Sequence, residues 1–304
     1  MPLRRTILYL SRHKALRRWV ETSPAARRLS SRFIAGNSLE DALEICRKIK
    51  ADGITATLDY LGENVKSLDE AAACRDMYLR MLHEMQAVGV EPNVSIKLTQ
   101  FGIDLSEPAC EENVATLVKA AGAIGGFVRI DMESSQYMDR TLALVTRIHR
   151  EHDACGTVIQ AYLRRSAKDI HALETERIRV RLVKGAYLEP SEIAFPDKSH
   201  VDANYLDLAR SLLINGAYPA IATHDQRLIG AVENFATNEG IARDTFEFQM
   251  LYGIRRDLQR RLVGEGYRLR LYIPFGEAWY PYFMRRLAER PANLLFFIRH
   301  LLRP

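Results

Sequence analysis

The stretch Val128-Arg129-Ile130-Asp131-Met132 alternates apolar and charged side chains, and a run long enough for a helix follows it. Successive side chains of a β-strand point to opposite faces of the sheet. The stretch therefore predicts a strand that packs its apolar side against outer helices and turns Arg129 and Asp131 inward. Seven further stretches repeat this theme of strand then helix and predict the other strands: Ile54–Tyr60, Val94–Leu98, Val158–Tyr162, Val180–Lys184, Ala220–His224, Phe246–Met250 and Leu269–Ile273.

The connections between these strands are long enough for helices. Three of them contain a Ser followed three residues later by an acid, a signal typical of a helix N-terminus, at Ser67, Ser166 and Ser199. Because no connection is short enough for a hairpin, we expect parallel strands with helical crossovers. Eight such units in residues 52–304 match the roughly 250 residues of a (βα)8 TIM barrel, an α/β fold. A doubly wound sheet is the alternative, but the first strand–helix turn, residues 61–64, lacks its glycine fingerprint.

The composition narrows the class of protein. The chain has 304 residues, of which 47% are hydrophobic, and this excludes a disordered chain or a small disulfide scaffold. Its four cysteines form no C-x-x-C pair, so we expect a reducing cytoplasm and no structural metal. Residues 1–35 contain nine lysines and arginines and one acid, which gives this segment a net charge of +8. The whole chain has a net charge of +5, so the remaining residues carry −3. We therefore expect a basic helical arm with a lead-in helix in residues 1–51 and the barrel in residues 52–304.

The basic arm has three possible interpretations. A signal peptide is disfavoured because Arg12, Lys14, Arg17 and Arg18 interrupt every apolar run. A mitochondrial presequence fits the Arg-rich composition. The favoured interpretation is one or two N-terminal helices with a basic face, which is also suited to peripheral contact with anionic lipid. No apolar run approaches the roughly 20 residues needed to span a bilayer.

The inward sides of the predicted strands are unusually polar. Active sites of TIM barrels lie at the C-terminal ends of the strands, and barrel interiors are otherwise filled by branched apolar side chains. The inward polar residues near those ends are Asp59, Lys97, Asp131, Gln160, Arg181, His224, Gln249 and Tyr272. A single inward Gln is usually structural, but burying all eight is costly unless a ligand or mutual pairing satisfies them. The set predicts an active site.

A second polar cluster lies near the C-terminus. Tyr282, Arg285, Arg286 and Glu289 have the spacing i, i+3, i+4 and i+7 and share one helix face. A solvated charged face is the ordinary interpretation, but the aromatic residues around the cluster indicate partial burial. Two guanidinium groups near a barrel mouth are suited to hold a carboxylate or a phosphate.

These motifs resemble those of the proline dehydrogenase family, in particular its short monofunctional bacterial members. The resemblance covers seven segments in the family's order: Ser95–Gln100, Arg129–Glu133, Val158–Tyr162, Arg181–Tyr187, Ala222–Asp225, Phe246–Leu251 and the tail Tyr282-x-x-Arg285-Arg286-x-x-Glu289. It implies a distorted (βα)8 barrel that binds FAD noncovalently and oxidises L-proline to Δ1-pyrroline-5-carboxylate by hydride transfer from proline C5 to flavin N5. It also implies a membrane quinone as electron acceptor and a hand-off of the product to pyrroline-5-carboxylate dehydrogenase.

The resemblance implies a role for individual residues as well. Asp131 and Arg181 are the expected catalytic residues, with Arg181 beside flavin N5. Glu63 is expected to pair with Arg285 and gate the site. Substrate is expected to contact Lys97, Arg285 and Arg286 through its carboxylate, and Tyr272, Tyr282 and Leu251 through its ring. The expected FAD contacts are Met132, Gln160, Arg181, Lys184, Gly185, Ala186, Thr223, His224 and Glu289.

Two positions depart from the family pattern. Asp225 stands where many relatives have Asn, and Leu188 stands where the bifunctional enzymes have an aromatic residue. Two other function classes stay open. A Schiff-base aldolase would use Lys97 or Lys184 as nucleophile but leaves the tail arginine pair unexplained. A nucleic-acid-binding protein is supported only by the arm, so nucleic acid is not expected as a partner.

Overall fold

The eight predicted strands form one closed parallel barrel. A computed structural model of the chain describes residues 32–62, 64–280, 282 and 284. Each strand pairs with its sequence neighbours, and the eighth pairs with the first. The strands are β1 (Thr55–Tyr60), β2 (Asn93–Ile96), β3 (Phe127–Ile130), β4 (Cys155–Gln160), β5 (Arg179–Val183), β6 (Ala220–Ala222), β7 (Glu247–Leu251) and β8 (Leu269–Phe275). The prediction of a (βα)8 TIM barrel is confirmed, and the doubly wound alternative is wrong.

Helices connect consecutive strands on the outside of the barrel. Helix α1 (Leu39–Ala51) precedes β1, and a single 3₁₀ turn at Ser135–Tyr137 precedes α4. The connecting helices are α2 (Leu68–Ala87), α3 (Glu107–Ala123), α4 (Met138–Glu151), α5 (Ser166–Thr175), α6 (Lys198–Asn215), α7 (Gln226–Asn238) and α8 (Arg256–Gly264). Beyond β8 the described residues 279, 280, 282 and 284 are helical.

The serine signals lie at the starts of three helices, but only one of the three serines caps its helix. Ser67 caps α2, and its hydroxyl oxygen accepts a hydrogen bond from the backbone N–H of Glu70 at 3.2 Å. Helices also begin at Ser166 and beside Ser199, but neither serine is the N-cap, because both lie inside the first turn of their helices. The Ser166 hydroxyl instead donates to the backbone oxygen of Gln160 at 2.6 Å, and so ties the start of α5 to the end of β4.

The outward sides of the strands build the core. Leu58, Ile96, Ile130, Leu182 and Phe248 have no exposed surface, and they belong to one hydrophobic cluster that includes the inner faces of the helices. Each such side chain contributes about 1.5–3 kcal/mol when it leaves water. The apolar alternation predicted from sequence therefore packs against the helices, as expected, and leaves the polar side chains to the barrel interior.

Five strands, β2 to β6, end earlier than predicted, and β3 and β4 are two examples beside predicted site residues. β3 ends at Ile130 and β4 ends at Gln160. Asp131 and Met132 therefore begin the β3–α4 loop, although the Asp131 N–H still donates to the backbone oxygen of Ile96 at 2.8 Å. Alternation continues past the last ladder hydrogen bond, so the sequence pattern alone does not mark where each strand stops.

The described chain begins at the C-terminal end of the barrel. The Ala35 N–H donates to the backbone oxygen of Pro274 at 2.9 Å, and the Gly276 N–H donates to that of Gly36 at 3.0 Å. Residues 1–31, which hold most of the predicted basic arm, lie outside the described residues. No helix in the described part of the chain has the length and apolar character needed to cross a membrane.

Candidate active site

Asp131, Arg181 and Tyr272 form a buried polar cluster at the C-terminal end of the barrel. Arg181 Nη1 donates to Asp131 Oδ1 at 2.8 Å, and the Tyr272 hydroxyl donates to Asp131 Oδ2 at 3.0 Å. The Arg181 guanidinium also lies 5.3 Å from the centroid of the Tyr272 ring. Burial raises the pKa of Asp131, and the charges of Arg181 and then Lys97 partly offset that rise. Both oxygens of the carboxylate are thus engaged, and its charge is faced by two cations.

A hydrogen-bonded chain inside the barrel orients Arg181. Arg181 Nε donates to Gln249 Oε1 at 2.5 Å, and Gln249 Nε2 donates to Glu247 Oε1 at 2.5 Å. Arg270 Nε donates to the same Glu247 oxygen at 2.9 Å. Burial by itself would raise the pKa of Glu247, but the charge and hydrogen bonds of Arg270 lower it. Arg181 Nη2 is buried and has no hydrogen-bond partner among the residues described. Sequence reasoning placed Gln249 inward but missed that it positions Arg181. The signal that could have suggested such a role is the spacing of i+2 from Glu247, which puts an acid and an amide on the same side of the strand.

Lys97 and Asp59 form a second buried pair. Lys97 Nζ lies 2.9 Å from Asp59 Oδ1, and the two side chains are 10% and 1% exposed. Asp59 lies near the end of β1, while Lys97 directly follows β2 in the chain. The sequence placed both residues inward but assigned a site role to Lys97 alone. Asp59 belongs to the predicted inward polar set, but its pairing with Lys97 was not predicted, because strand alternation shows which side a residue faces and not which residue it contacts.

Lys184 is held by two acids on neighbouring elements. Its Nζ lies 2.5 Å from Asp202 Oδ1 and 3.1 Å from Asp225 Oδ2. Partial burial opposes the ionised form of Asp225, but hydrogen bonds from Lys184 and Arg227 lower its pKa to about 2. Asp225, the departure from the family pattern, thus carries a charge that an Asn would lack, and it fixes the Lys184 side chain over the C-terminal end of β5.

His224 and Gln160 are oriented by backbone groups. His224 Nε2 accepts a hydrogen bond from the Leu251 N–H at 2.9 Å, so this nitrogen carries no proton. Gln160 Nε2 donates to the backbone oxygen of Glu133 at 2.8 Å. Thr223 Oγ1 accepts from the backbone N–H two residues on at 3.1 Å. The structure therefore brings the ends of β4, β6 and β7 together with rigidly held polar side chains.

Gly185 allows the loop after β5 to pass close to an aromatic ring. Its φ is +114°, and a Cβ added there would lie 2.1 Å from Cδ1 of Tyr162. A positive φ of this kind is accessible to glycine and strained for other residues. Because Gly185 has no Cβ, the backbone can lie directly against the Tyr162 ring, where any side chain would overlap the ring.

We expect Gly185→Ala to lower the free energy of unfolding by about 2 kcal/mol or more, because the new methyl group adds overlap to a strained φ. Urea denaturation measures the change, with Gly230→Ala as the matched control. An added Cβ at Gly230, in α7, meets nothing within 4 Å. That control should be neutral or up to about 1 kcal/mol more stable. Equal effects of the two substitutions would contradict the close approach at Gly185.

Part of the predicted site lies outside the described residues. This holds for the predicted gate Glu63 and for Arg285, Arg286 and Glu289 of the tail. Tyr282 is described, is helical and is only 6% exposed, which agrees with the partial burial predicted for that helix face. The predicted carboxylate clamp and gate stay predictions.

The geometry is that of a TIM-barrel enzyme, with ordered charged groups at the end where such enzymes bind substrate. A family model described as proline dehydrogenase matches residues 42–299. The proline dehydrogenase of Deinococcus radiodurans is 43% identical over 282 residues, which cover 90% of each chain. Proline dehydrogenase 1 of Bacillus subtilis is 38% identical over 301 residues, or 99% of each chain. The chain belongs to the proline dehydrogenase family.

A solved structure supports the same fold. Proline utilization A (PutA) from Bdellovibrio bacteriovorus, inactivated by N-propargylglycine, superimposes with a TM-score of 0.83 and is 29% identical. The match covers 91% of the present chain and 34% of that one, so this chain spans about a third of that larger protein. The bifunctional protein PutA of Escherichia coli is 28% identical over 323 residues, 24% of its length.

Proposed function

We propose that this protein oxidises L-proline to Δ1-pyrroline-5-carboxylate with noncovalently bound FAD and passes the electrons to a membrane quinone. The observation that carries the proposal is the buried cluster of Asp131, Arg181 and Tyr272 beside the Lys97–Asp59 pair. It stands at the substrate end of the barrel in a chain that is 43% identical to a proline dehydrogenase. In this arrangement Lys97 would bind the proline carboxylate, and the aromatic side chain of Tyr272 would pack against the proline ring.

The described residues fit a flavin. Arg181 Nη2 is a buried donor without a partner among them, which is the state expected of a group that awaits an acceptor atom of a cofactor. The residues that would hold FAD are Met132, Gln160, Arg181, Lys184, Gly185, Ala186, Thr223, His224 and Glu289. When bound, FAD would supply the acceptor for the hydride that leaves proline C5.

The chain itself binds and orients proline. Lys97, with residues 285 and 286, would hold the carboxylate and so fix the direction in which C5 points. Tyr272, Tyr282 and Leu251 would close over the ring and exclude water, and Tyr282 is itself buried. Such positioning is the main contribution that a protein makes to a hydride transfer. Arg181, held at Nε and Nη1, would present its remaining nitrogen to the reacting centre without reorganisation.

The surroundings of the site suggest how the enzyme reaches its partners. Residues 1–35 carry a net charge of +8, and the described chain starts at the C-terminal end of the barrel. We propose that residues 1–51 form a basic arm and a lead-in helix, of which the arm contacts anionic lipid at the cytoplasmic face of a membrane, and that residues 52–304 form the barrel. Glu63 and Arg285 would gate the site, and the product would pass to a pyrroline-5-carboxylate dehydrogenase.

The visible spectrum of the purified protein tests the proposal. We expect a yellow protein whose flavin absorbance bleaches when L-proline is added without oxygen, and D-proline is the control that should leave it unchanged. Colourless protein that takes up no added FAD would contradict the proposal. Borohydride trapping that labels Lys97 or Lys184 in the presence of a carbonyl substrate would instead favour a Schiff-base enzyme.

A further inference from the structure

A cavity lies at the N-terminal end of the barrel, opposite the candidate active site. Its volume is about 370 Å³, which lies within the range of small-molecule pockets. It is lined by residues at the starts of the strands and in the loops that precede them: Gly53, Thr55, Glu91, Asn93, Phe127, Arg129, Arg179, Tyr218, Glu247, Arg268, Leu269 and Arg270. We call it the N-terminal cavity. Of its lining residues, Glu247 and Arg270 also belong to the hydrogen-bonded chain that orients Arg181, and no role proposed above uses the cavity itself.

The lining of the N-terminal cavity has an excess of positive charge. Both of its acids are engaged by Arg270, whose Nε lies 2.9 Å from Glu247 Oε1 and whose Nη2 lies 2.9 Å from Glu91 Oε1. The other three lining arginines are Arg129, Arg179 and Arg268, and none of them forms an ion pair within the described ranges. Three guanidinium groups therefore face one small space without an ion pair in the described part of the chain, although Glu247 lies close enough to act on Arg129 and Arg268 electrostatically.

Of these three arginines, Arg129 gives the strongest evidence that the cavity binds an anion. It is 4% exposed, and its Nε is buried with no hydrogen-bond partner in the described part of the chain. Its Nη1 donates only to backbone oxygens, those of Thr157 at 3.1 Å and Arg179 at 2.6 Å. Burial, and then the charge of Arg181, lower the pKa of Arg129. A buried cation in such surroundings is costly unless an anion compensates it.

The sequence makes room for this guanidinium at Gly156 on β4. A Cβ added there would lie 2.3 Å from the backbone oxygen of Arg179 and 2.8 Å from Arg129 Nη1. Any other residue at this position would displace the Arg129 side chain. The barrel interior is therefore shaped to admit a buried charge where an aliphatic layer is usual.

Two aromatic rings hold the guanidinium groups in place. Arg129 and Arg179 lie 4.8 and 5.1 Å from the centroid of Phe127. Arg179 and Arg268 lie 5.5 and 5.6 Å from the centroid of Tyr218, and Arg268 Nη1 donates to the Tyr218 hydroxyl at 3.3 Å. Stacking of this kind fixes the planes of the guanidinium groups before a ligand arrives, which lowers the entropy cost of binding.

We propose that the N-terminal cavity binds a small anion with at least two negative charges, of the phosphate or carboxylate type. Planar guanidinium groups match the oxygen geometry of both chemistries in a bidentate manner. Three of them suit a ligand whose charges are spread over several oxygens. The inference does not depend on the proposed function, because the cavity lies at the other end of the barrel from the residues assigned to proline.

The test compares two double variants by isothermal titration calorimetry with inorganic pyrophosphate and with citrate. Arg179→Gln/Arg268→Gln removes the two exposed arginines of the cavity, so folding should be kept. Arg47→Gln/Arg210→Gln removes the same charge from exposed positions on α1 and α6. Ionic strength is held constant with sodium chloride, because the contribution of screening to each measurement must be the same.

We expect saturable binding of one anion per chain by the wild type and by the Arg47/Arg210 control. The Arg179/Arg268 variant should bind at least tenfold more weakly and should keep its activity with proline. A preference for pyrophosphate over citrate would assign a phosphate ligand, and the reverse preference a carboxylate. Absence of saturable binding of both probes, or equal affinity in the two double variants, would overturn the proposal.

Discussion

Arg181→Met should lower kcat with proline by roughly 10²–10³-fold, the usual effect of removing one preorganised donor from an active site. The guanidinium is held by Gln249 at Nε and by Asp131 at Nη1, and it presents a buried nitrogen with no described partner. Methionine replaces the unbranched aliphatic part of the side chain and lacks the charge and the donors. Steady-state kinetics at saturating proline measure the change, with the flavin content of each preparation determined in parallel.

The same substitution should move the pH dependence of the reaction. Burial raises the pKa of Asp131, while Arg181 and then Lys97 lower it, and Asp59 raises it. Removing Arg181 takes away the largest effect that favours the carboxylate, so the pKa of Asp131 should rise further. The acid limb of the kcat/KM profile should therefore move to higher pH in Arg181→Met.

Two further variants separate charge from geometry. Arg181→Lys keeps a cation beside Asp131, so its acid limb should return towards that of the wild type although kcat stays low. Tyr272→Phe removes one neutral hydrogen bond of 3.0 Å to the same carboxylate and should cause a smaller shift. An unchanged acid limb in Arg181→Met would show that Asp131 does not control the profile.

The alternation of side chains was enough to predict the barrel and the inward polar set. The side of a strand that a residue faces depends only on its position in the chain. Along β3 and its extension, alternation correctly separates Arg129 and Asp131 from the apolar residues between and beside them. The residues that cap the helices were less predictable. Ser166 carries the expected signal, yet its hydroxyl bonds to the end of β4, a contact that depends on tertiary structure.

The alternation of side chains does not reveal how far along the barrel axis a side chain lies. Arg129 and Asp131 share one side of one strand, but the first lines the N-terminal cavity and the second belongs to the candidate active site. The register of the strands decides this, as in the alignment of Thr55 with Arg270 across β1 and β8. The pairing of Asp59 with Lys97 has the same origin, since the two residues meet only when β1 and β2 are aligned.

Lys97→Met should lower the free energy of unfolding by about 3–5 kcal/mol, because it leaves a charge buried without its partner. Asp59 is 1% exposed, and Lys97 Nζ lies 2.9 Å from its Oδ1. Urea denaturation at neutral pH measures the loss, provided that the slope against urea concentration stays constant among the variants. Activity should fall as well, since the proposed function assigns Lys97 to the proline carboxylate.

The double variant Lys97→Met/Asp59→Asn distinguishes these two effects. Asparagine keeps the shape of Asp59 without its charge, so the double variant should regain most of the stability that Lys97→Met loses. Its KM for proline should remain raised, because no cation has been restored to hold the carboxylate. Stability that does not recover would show that the buried charge of Asp59 is not the cause of the loss. A KM that returns to the wild-type value would remove Lys97 from the substrate site and leave it with a structural role.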